Sequence, residues 1–292
     1  MRIRINKIRT QSGFSLIELL IASGMALTIF LAVAMFLNTQ RKTYNTQQSK
    51  AEAQEAVERV HGELLDKIRV SGYMIPSDVY TIVPYHVADG PDSIKVTGNY
   101  ENYYAPARKP VAIHTSKIEV TKVSTPRYRE GMRVMIRKTV GDTIFTCWST
   151  VDTLKEKAEH FEFWVGDTSN IVYDFPESSR VSTFNSYTYK VVDPGGDDPP
   201  YFAVRINAQD TLYRLVNGIE DITLTYETKN DTTERDSLST DSLEYIYAVN
   251  LTVQARSLTA DRMHIDSLYG DNFWRATLTS QIVVLNLAID RR

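Results

Sequence analysis

The chain has 292 residues, of which 42% are hydrophobic and 24% are charged, so its composition is that of a folded protein with enough length to bury a sizeable core. The net charge is −3, and the first 13 residues contain Arg2, Arg4, Lys7 and Arg9 without an acid, so the remainder carries −7. This balance does not suggest bulk electrostatic attraction to nucleic acid, whereas the single cysteine, Cys147, excludes an intrachain disulfide.

A long apolar segment follows the basic leader. Between Phe14 and Leu37 the only ionisable side chain is Glu18, and these 24 residues exceed the roughly 20 that a helix needs to span the hydrocarbon core. Because positive charge stays on the cytoplasmic side, the leader (residues 1–13) predicts a single-pass segment over residues 14–37, with the rest of the chain outside that membrane. A carboxylate in such a segment suggests a function if a partner for it can be named.

Cleavage between Gly13 and Phe14 would supply that partner. The new α-ammonium group on Phe14 would lie four residues, one helical turn, from Glu18. The two charges attract strongly in a low-dielectric setting, either within one chain or between laterally stacked chains. Between chains, Glu18 would fix the offset of neighbouring helices, because an unpaired buried charge is costly.

The stretch GFSLIELLIA (residues 13–22), after its short basic leader, resembles the N-terminal signature of type IV pilins and of the pseudopilins of type II secretion. The resemblance covers only the start of the chain. It implies that a prepilin peptidase cleaves after Gly13 and N-methylates Phe14. It also implies that Glu18 meets the Phe14 amine of a neighbouring subunit, so that other minor and major pilins are partners through the N-terminal helix.

The same segment is compatible with two simpler kinds of N-terminal sequence. Ala32-Val33-Ala34 fits the cleavage site of an ordinary secretory signal peptide, although the apolar run before it is longer than the usual ~7–15 residues and Glu18 would have no role. The second kind is an uncleaved signal anchor.

The predicted helix continues past the membrane. Residues 38–70 lack proline and contain one glycine, Gly62. Their apolar side chains recur at helical spacing opposite a polar face, which predicts an amphipathic continuation over residues 38–71 that packs on a globular domain. Gly72 follows as a plausible C-cap. The apolar stripe consists of Ala53, Val57, Val60, Leu64 and Ile68.

After Gly72 the apolar periodicity changes from 3.6 to 2, which is typical of half-buried antiparallel strands. We therefore predict an α+β protein in which the long helix packs on an extracytoplasmic β-rich domain, residues 72–292. DTLKEKAEH (152–160) is at most a short turn, and the polar stretch 229–242 is expected to be an exposed connection. The clearest strands are KIEVTKV (117–123), GMRVMIRK (131–138), DITLTYE (221–227) and YAVNLTVQA (247–255).

A second resemblance lies in the C-terminal part. Three segments are similar to the C-terminal half of PilW-type minor pilins, which also resemble the J-type minor pseudopilin of type II secretion: LVNGIEDITLTYET (215–228), YAVNLTVQARS (247–257) and TLTSQIVVLNL (277–287). The end of the predicted helix fits as well, through Leu64, Arg69, Gly72 and Tyr73, whereas Leu285 stands where those proteins have an arginine. Residues 80–200 show no such similarity.

Catalytic motifs are absent from the sequence. The five histidines are scattered, and there is no P-loop, dinucleotide-binding, nucleophile-elbow or zinc-protease motif. We therefore expect no enzyme activity, no cofactor and no metal site. Cys147 is expected to be a small buried side chain on a strand. The acidic turn with Asp193, Asp197 and Asp198 is expected to be solvated rather than to bind Ca²⁺.

One basic cluster, RYREGMRVMIRK (127–138), is a candidate for contact with DNA phosphates or another ligand, but a solvated strand face is the simpler interpretation. Strand alternation places Arg133 and Arg137 on one face, opposite Val134 and Ile136. The candidate contact residues are Arg127, Arg129, Arg133 and Arg137.

Taken with the resemblances, these features predict a non-enzymatic minor pilin that takes part in initiation, tip formation or assembly of a type IV pilus-like filament. It would lie in a bacterial inner membrane, with its C-terminal domain in the periplasm or outside, and in the filament after assembly. Its partners would be a prepilin peptidase, other pilins and the membrane. The alternatives are a tip pseudopilin of type II secretion or a pilus-borne adhesin or DNA-uptake module.

Overall fold

The computed structural model describes residues 15–73, 75–76, 79–87, 90–123, 128–141, 143–196, 198–207, 209–229, 231–235, 238, 243, 246–261 and 264–285. In this part of the chain one long helix, α1 (Leu16–Val70), precedes the strands, so the predicted α+β class is confirmed. The strands are β1 (Ile82–Tyr85), β2 (Ser93–Gly98), β3 (Tyr104–Pro106), β4 (Lys117–Thr121), β5 (Arg133–Val140), β6 (Thr143–Glu156), β7 (His160–Val165), β8 (Arg180–Val192), β9 (Tyr201–Ile206), β10 (Leu212–Asn217), β11 (Ile219–Thr228), β12 (Asp231–Arg235), β13 (Ile246–Arg256) and β14 (Arg275–Val283).

The chain divides into two compact units, Met1–Gln48 and Ser49–Arg292. The boundary between these two units falls inside α1, between Gln48 and Ser49. The physical reason is that the last part of α1, Ser49–Val70, carries the buried side chains of the helix and so belongs to the second unit.

The predicted apolar stripe of α1 is confirmed. Val57, Val60, Leu64 and Ile68 are at most 2% exposed and join a core with residues of both sheets. Because these positions recur every three or four residues, one face of the helix can be buried while the opposite face stays polar. A polar contact also links this segment to the larger sheet. The Tyr189 hydroxyl donates to Glu63 Oε1 over 2.6 Å.

The predicted C-cap is confirmed at Gly72. This residue has φ of 81°, in the left-handed region that glycine adopts without steric cost. Its N–H donates to the carbonyl of Thr97 on β2 over 2.9 Å, and the Tyr73 N–H donates to the carbonyl of Val70. The turn that ends α1 therefore also attaches it to the larger sheet.

Within the described residues the larger sheet has ten antiparallel strands, with the main order β1-β2-β8-β5-β6-β7-β4. The long strand β8 also pairs with β3 and with β9, and β9 pairs with β10. Around β8, the sheet face that holds Tyr189 packs on α1. A second core lies under β4, β5, β6 and β7, where Cys147 is buried on β6, as predicted.

The smaller sheet has the order β12-β11-β13-β14. Its inner face contributes Leu224, Leu251 and Ile282 to the core around α1. The helix segment therefore shares one core with both sheets. Because only one face of these strands is buried in that core, apolar and polar residues alternate along them, and the sequence shows this pattern.

Two segments differ from the expectation. Asp231–Arg235 forms β12 and pairs with β11, although the polar stretch 229–242 lacks apolar alternation. Residues 152–156 extend β6 along β7 instead of forming only a turn. Edge pairing of backbone groups requires no apolar side chains, so alternation gives no signal for such segments.

Candidate functional site

The first half of α1 is apolar and exposed. Every residue from Ser15 to Leu37 is exposed, including Leu16, Phe30 and Met35 at 77%, 69% and 72%. By length and composition this helix can cross a membrane, and it is compatible with a single-pass anchor.

Gly13 and Phe14, the predicted cleavage and methylation sites, lie outside the described residues. Glu18 lies in the first turn of α1, where its Oε2 accepts the Ser15 N–H at 3.0 Å. The Ser15 Oγ in turn accepts the Ile17 N–H at 3.3 Å. These two contacts form a capping arrangement at the N-terminus of the helix. The sequence carries the signal for it, Ser-x-x-Glu over residues 15–18, which our reasoning about charge overlooked.

The predicted basic cluster does not stay together. Arg127 lies outside the described residues, and Arg129 is exposed in the connection that precedes β5. Arg133 and Arg137 are half-buried on one face of β5, with Met135 between them. Their neighbours therefore come from other strands rather than from their own sequence segment.

Residues that pair directly across antiparallel strands share a face of the sheet. On β8, Thr188 pairs with Lys95 on one side and with Arg205 on the other. Arg180, which is on the same side of β8 as Thr188, pairs with Arg137 of β5. All these side chains lie on the face of the sheet opposite to the one that packs on α1. We call this side of the sheet the basic face. Its cations are Lys95 on β2, Arg133 and Arg137 on β5, Arg180 and Lys190 on β8, Arg205 on β9 and Arg214 on β10.

The basic face lacks compensating acids. The positions of β2, β5, β8 and β9 that share this face include no Asp or Glu. Burial, with the nearby Arg133 as a second cause, lowers the pKa of Lys95. Burial also lowers the pKa of Arg133. Both cations thus lie in surroundings that disfavour their charge.

Three arginines of the basic face lie over aromatic rings. The guanidinium carbon is 3.6 Å from the ring centre of Tyr104 for Arg180 and 4.4 Å from that of Tyr201 for Arg214. Arg133 lies 5.5 Å from the Trp148 ring and donates to Ser186 Oγ over 3.2 Å. Stacking holds a guanidinium flat while its N–H edge stays available to an anion.

Another polar cluster lies on β4 and β7, where Glu119, His160 and Glu162 bring potential metal-ligand atoms within 4.8 Å of one another. Lys117 Nζ already lies 3.1 Å from a carboxylate oxygen of each glutamate, and Lys109 Nζ lies 2.9 Å from Glu119. These hydrogen bonds raise the pKa of Lys117 and, with one from His160 to Glu162, lower those of both glutamates. A divalent cation would have to displace an ammonium group here.

Asp193 and His160, two other positions considered in the sequence, have separate partners. Asp197 lies outside the described residues, and Asp193 accepts the Gly195 N–H at 3.0 Å in an exposed turn. His160 has Arg108 and Glu162 as partners, while Cys147 pairs in register with Ile136 of β5.

In sequence, the chain matches no protein-family model and no curated protein. Among solved structures, a type IV-like pilin from Thermus thermophilus aligns with 80% of this chain and 97% of its own length, at 8% sequence identity and a TM-score of 0.36.

Proposed function

We propose that this chain is a non-enzymatic minor pilin whose N-terminal helix enters a type IV pilus-like filament after cleavage by a prepilin peptidase. The observation that carries the proposal is the first half of α1, an apolar helix that is exposed along its whole length and has one carboxylate in its first turn. The basic leader and the GFSLIE sequence support the same function. The small sheet adds support for the PilW-type class, since most of each similar segment that the structure describes lies on its neighbouring strands β11, β13 and β14.

Assembly would exchange one apolar environment for another. Before assembly, lipid tails cover the side chains between Leu16 and Leu37, and the β-rich domain lies outside the membrane. In the filament the same side chains pack against the helices of neighbouring pilins, where van der Waals contacts and paired polar groups favour association. Glu18 would then meet the methylated Phe14 amine of a neighbour, which sets the offset between the two helices.

Cleavage is tested by intact mass and N-terminal peptide mapping of the protein purified from membranes of its native host. We expect a mature chain that starts at N-methylated Phe14. A chain that starts at Met1, or at Met35 after a signal-peptide cut, would overturn the proposal.

The capping contact offers a sharper test of Glu18. Glu18→Gln keeps a side-chain acceptor for the Ser15 N–H but removes the charge, whereas Glu18→Val removes both. We expect both variants to be processed normally and to be absent from sheared filaments. Ser15→Ala, which removes the contact to Ile17 and leaves the charge, is the matched control and should assemble. Normal incorporation of Glu18→Gln, with failure of Glu18→Val, would reduce Glu18 to a helix cap.

A further inference from the structure

We propose that a cleft at one end of β5 and β8 binds a small molecule through a phosphate monoester group. The cleft has a volume of about 420 Å³ and is lined by residues 137–139 of β5 and by residues 176–180, the turn that leads into β8. This volume is within the range of small-molecule sites, ~300–1,000 Å³. The proposal uses only the second compact unit and does not depend on filament assembly.

Two arginines lie opposite each other in this cleft. Arg137 of β5 pairs in register with Arg180 of β8, and the Cβ atoms of such a pair are roughly 4.5–5.5 Å apart. Like charges in that position destabilise a sheet, which an anion between the two guanidinium groups would offset. The Arg180 guanidinium is also held in place, because its carbon lies 3.6 Å from the ring centre of Tyr104. The cleft therefore offers two adjacent cations to one ligand.

The turn before β8 has a defined and costly conformation. Ser178 has φ of 68°, in the left-handed region that a serine seldom adopts. Its N–H donates to the Ala107 carbonyl over 2.8 Å, and the Ser179 Oγ donates to the Pro176 carbonyl over 2.7 Å. Backbone conformations of this kind persist where the surrounding structure determines them, and they cluster at ligand-binding sites. The turn therefore gives the cleft a fixed wall that includes the exposed Ser178.

The donors of the cleft suit a tetrahedral dianion better than a carboxylate. A single guanidinium can satisfy both oxygens of a carboxylate through two parallel N–H bonds. Two guanidinium groups side by side suit an anion with three terminal oxygens and a charge near −2, and a phosphate monoester has both at neutral pH. The hydroxyl group of Ser178 is a further donor in the lining.

The burial of the neighbouring residues limits the ligand to a small molecule. Met135 and Ser182 form the next pair on the same side of β5 and β8, and both are at most 1% exposed. The positive charge of the cleft therefore ends at a closed wall in this direction and does not continue as an open groove for a polymer. Because the cleft is larger than a phosphate group, part of the molecule that carries the phosphate also fits inside it.

Lys138 provides a matched control. It follows Arg137 and contributes to the lining, but strand alternation directs its side chain to the other face of β5. There the ammonium group donates to the Asp174 carbonyl and lies 5.2 Å from the ring centre of Phe175. The charge of Lys138 is therefore near the cleft but is engaged elsewhere.

The test measures binding of glucose 6-phosphate to the full-length chain in an uncharged detergent by isothermal titration calorimetry, with glucose and glucose 6-sulfate as comparison ligands. Arg137→Gln and Arg180→Gln each remove one of the facing charges and keep a hydrogen-bond donor. Lys138→Gln makes the same change in net charge beside the cleft, and Glu177→Gln removes an exposed carboxylate from the lining. Thermal melting without ligand shows whether each variant is folded.

We expect the wild type to bind glucose 6-phosphate at one site, glucose 6-sulfate more weakly and glucose not at all. Each arginine variant should bind glucose 6-phosphate at least about tenfold more weakly, because a charge-assisted hydrogen bond is lost, while its melting temperature without ligand stays the same or rises. Lys138→Gln should keep its affinity to within about twofold, because solvent and salt screen a charge directed elsewhere. Glu177→Gln should bind more tightly.

A wild type that does not bind glucose 6-phosphate would overturn the proposal. So would an equal loss of affinity in Lys138→Gln and the two arginine variants, because general electrostatic attraction would explain both. Equal affinity for the phosphate and the sulfate would overturn the selection of a dianion.

Discussion

Two groups of cations on one ten-stranded sheet have opposite surroundings. On β4, Lys117 lies 3.1 Å from oxygens of both Glu119 and Glu162, and its pKa is raised by hydrogen bonds to them. On the basic face, Lys95 has Arg133 as its charged neighbour, and its pKa is lowered. The two lysines have the same chemistry and both lie on strands. Lys117 therefore has carboxylate partners, whereas Lys95 has a like charge nearby.

The largest effect should come from the most heavily paired cation. Arg275 on β14 is 9% exposed and donates to Glu220 and Asp271 over 2.7–2.8 Å, and Asp266 lies within 3.4 Å. Arg275→Ala leaves three carboxylates close together, so we expect a loss of about 3 kcal/mol, at the lower end of values for broken buried pairs because Asp271 is partly exposed. Urea unfolding measures this change.

The matched control for this change is Arg205→Ala on the basic face, where the side chain is exposed and has no described carboxylate partner. It should alter the free energy of unfolding by less than about 0.5 kcal/mol. If both variants lost a similar amount of unfolding free energy, carboxylate pairing would not explain the stabilising role of Arg275.

A smaller, pH-dependent effect should follow from Lys117→Met. In the wild type the pKa values of Glu119 and Glu162 are lowered, so their stabilising contribution is present above the unfolded carboxylate pKa and is lost as pH falls through the folded values. The variant loses this contribution in part. Its melting temperature should therefore fall at neutral pH and approach that of the wild type in acid. An equal deficit at both pH values would mean that packing, not charge, is responsible.

The smallest effect, and one of opposite sign, should follow from Arg133→Gln. This change removes the like charge near Lys95 but keeps a donor for Ser186 Oγ. We expect unchanged or slightly higher thermal stability and a rise in the pKa of Lys95 toward its ordinary value. Arg133→Met is the companion variant, since it keeps apolar cover over Trp148 but lacks the donor. A clear loss of stability in Arg133→Gln would show that the guanidinium is needed by the fold itself.

Local patterns in the sequence were sufficient for α1. The stripe from Val57 to Ile68 and the C-cap at Gly72 follow from helical spacing and from the conformational freedom of glycine, which depend only on neighbours along the chain. The exposed apolar segment from Leu16 to Leu37 is likewise visible in composition alone. The capping role of Ser15 was equally local, and the prediction missed it by treating Glu18 only as a charge.

The sequence by itself thus determined the helix, the alternating strands and the absence of an intrachain disulfide, because these depend on periodicity and on residue counts. Only the tertiary structure decided which cations share a face. RYREGMRVMIRK was the visible basic cluster, but Arg129 lies off the strand, while Lys95, Arg180 and Arg205 join Arg133 from segments tens of residues away. Alternation tells which side chains of one strand share a side, whereas the partner strand and its register are set by long-range pairing. A shift of one residue would move every one of a strand's cations to the opposite face.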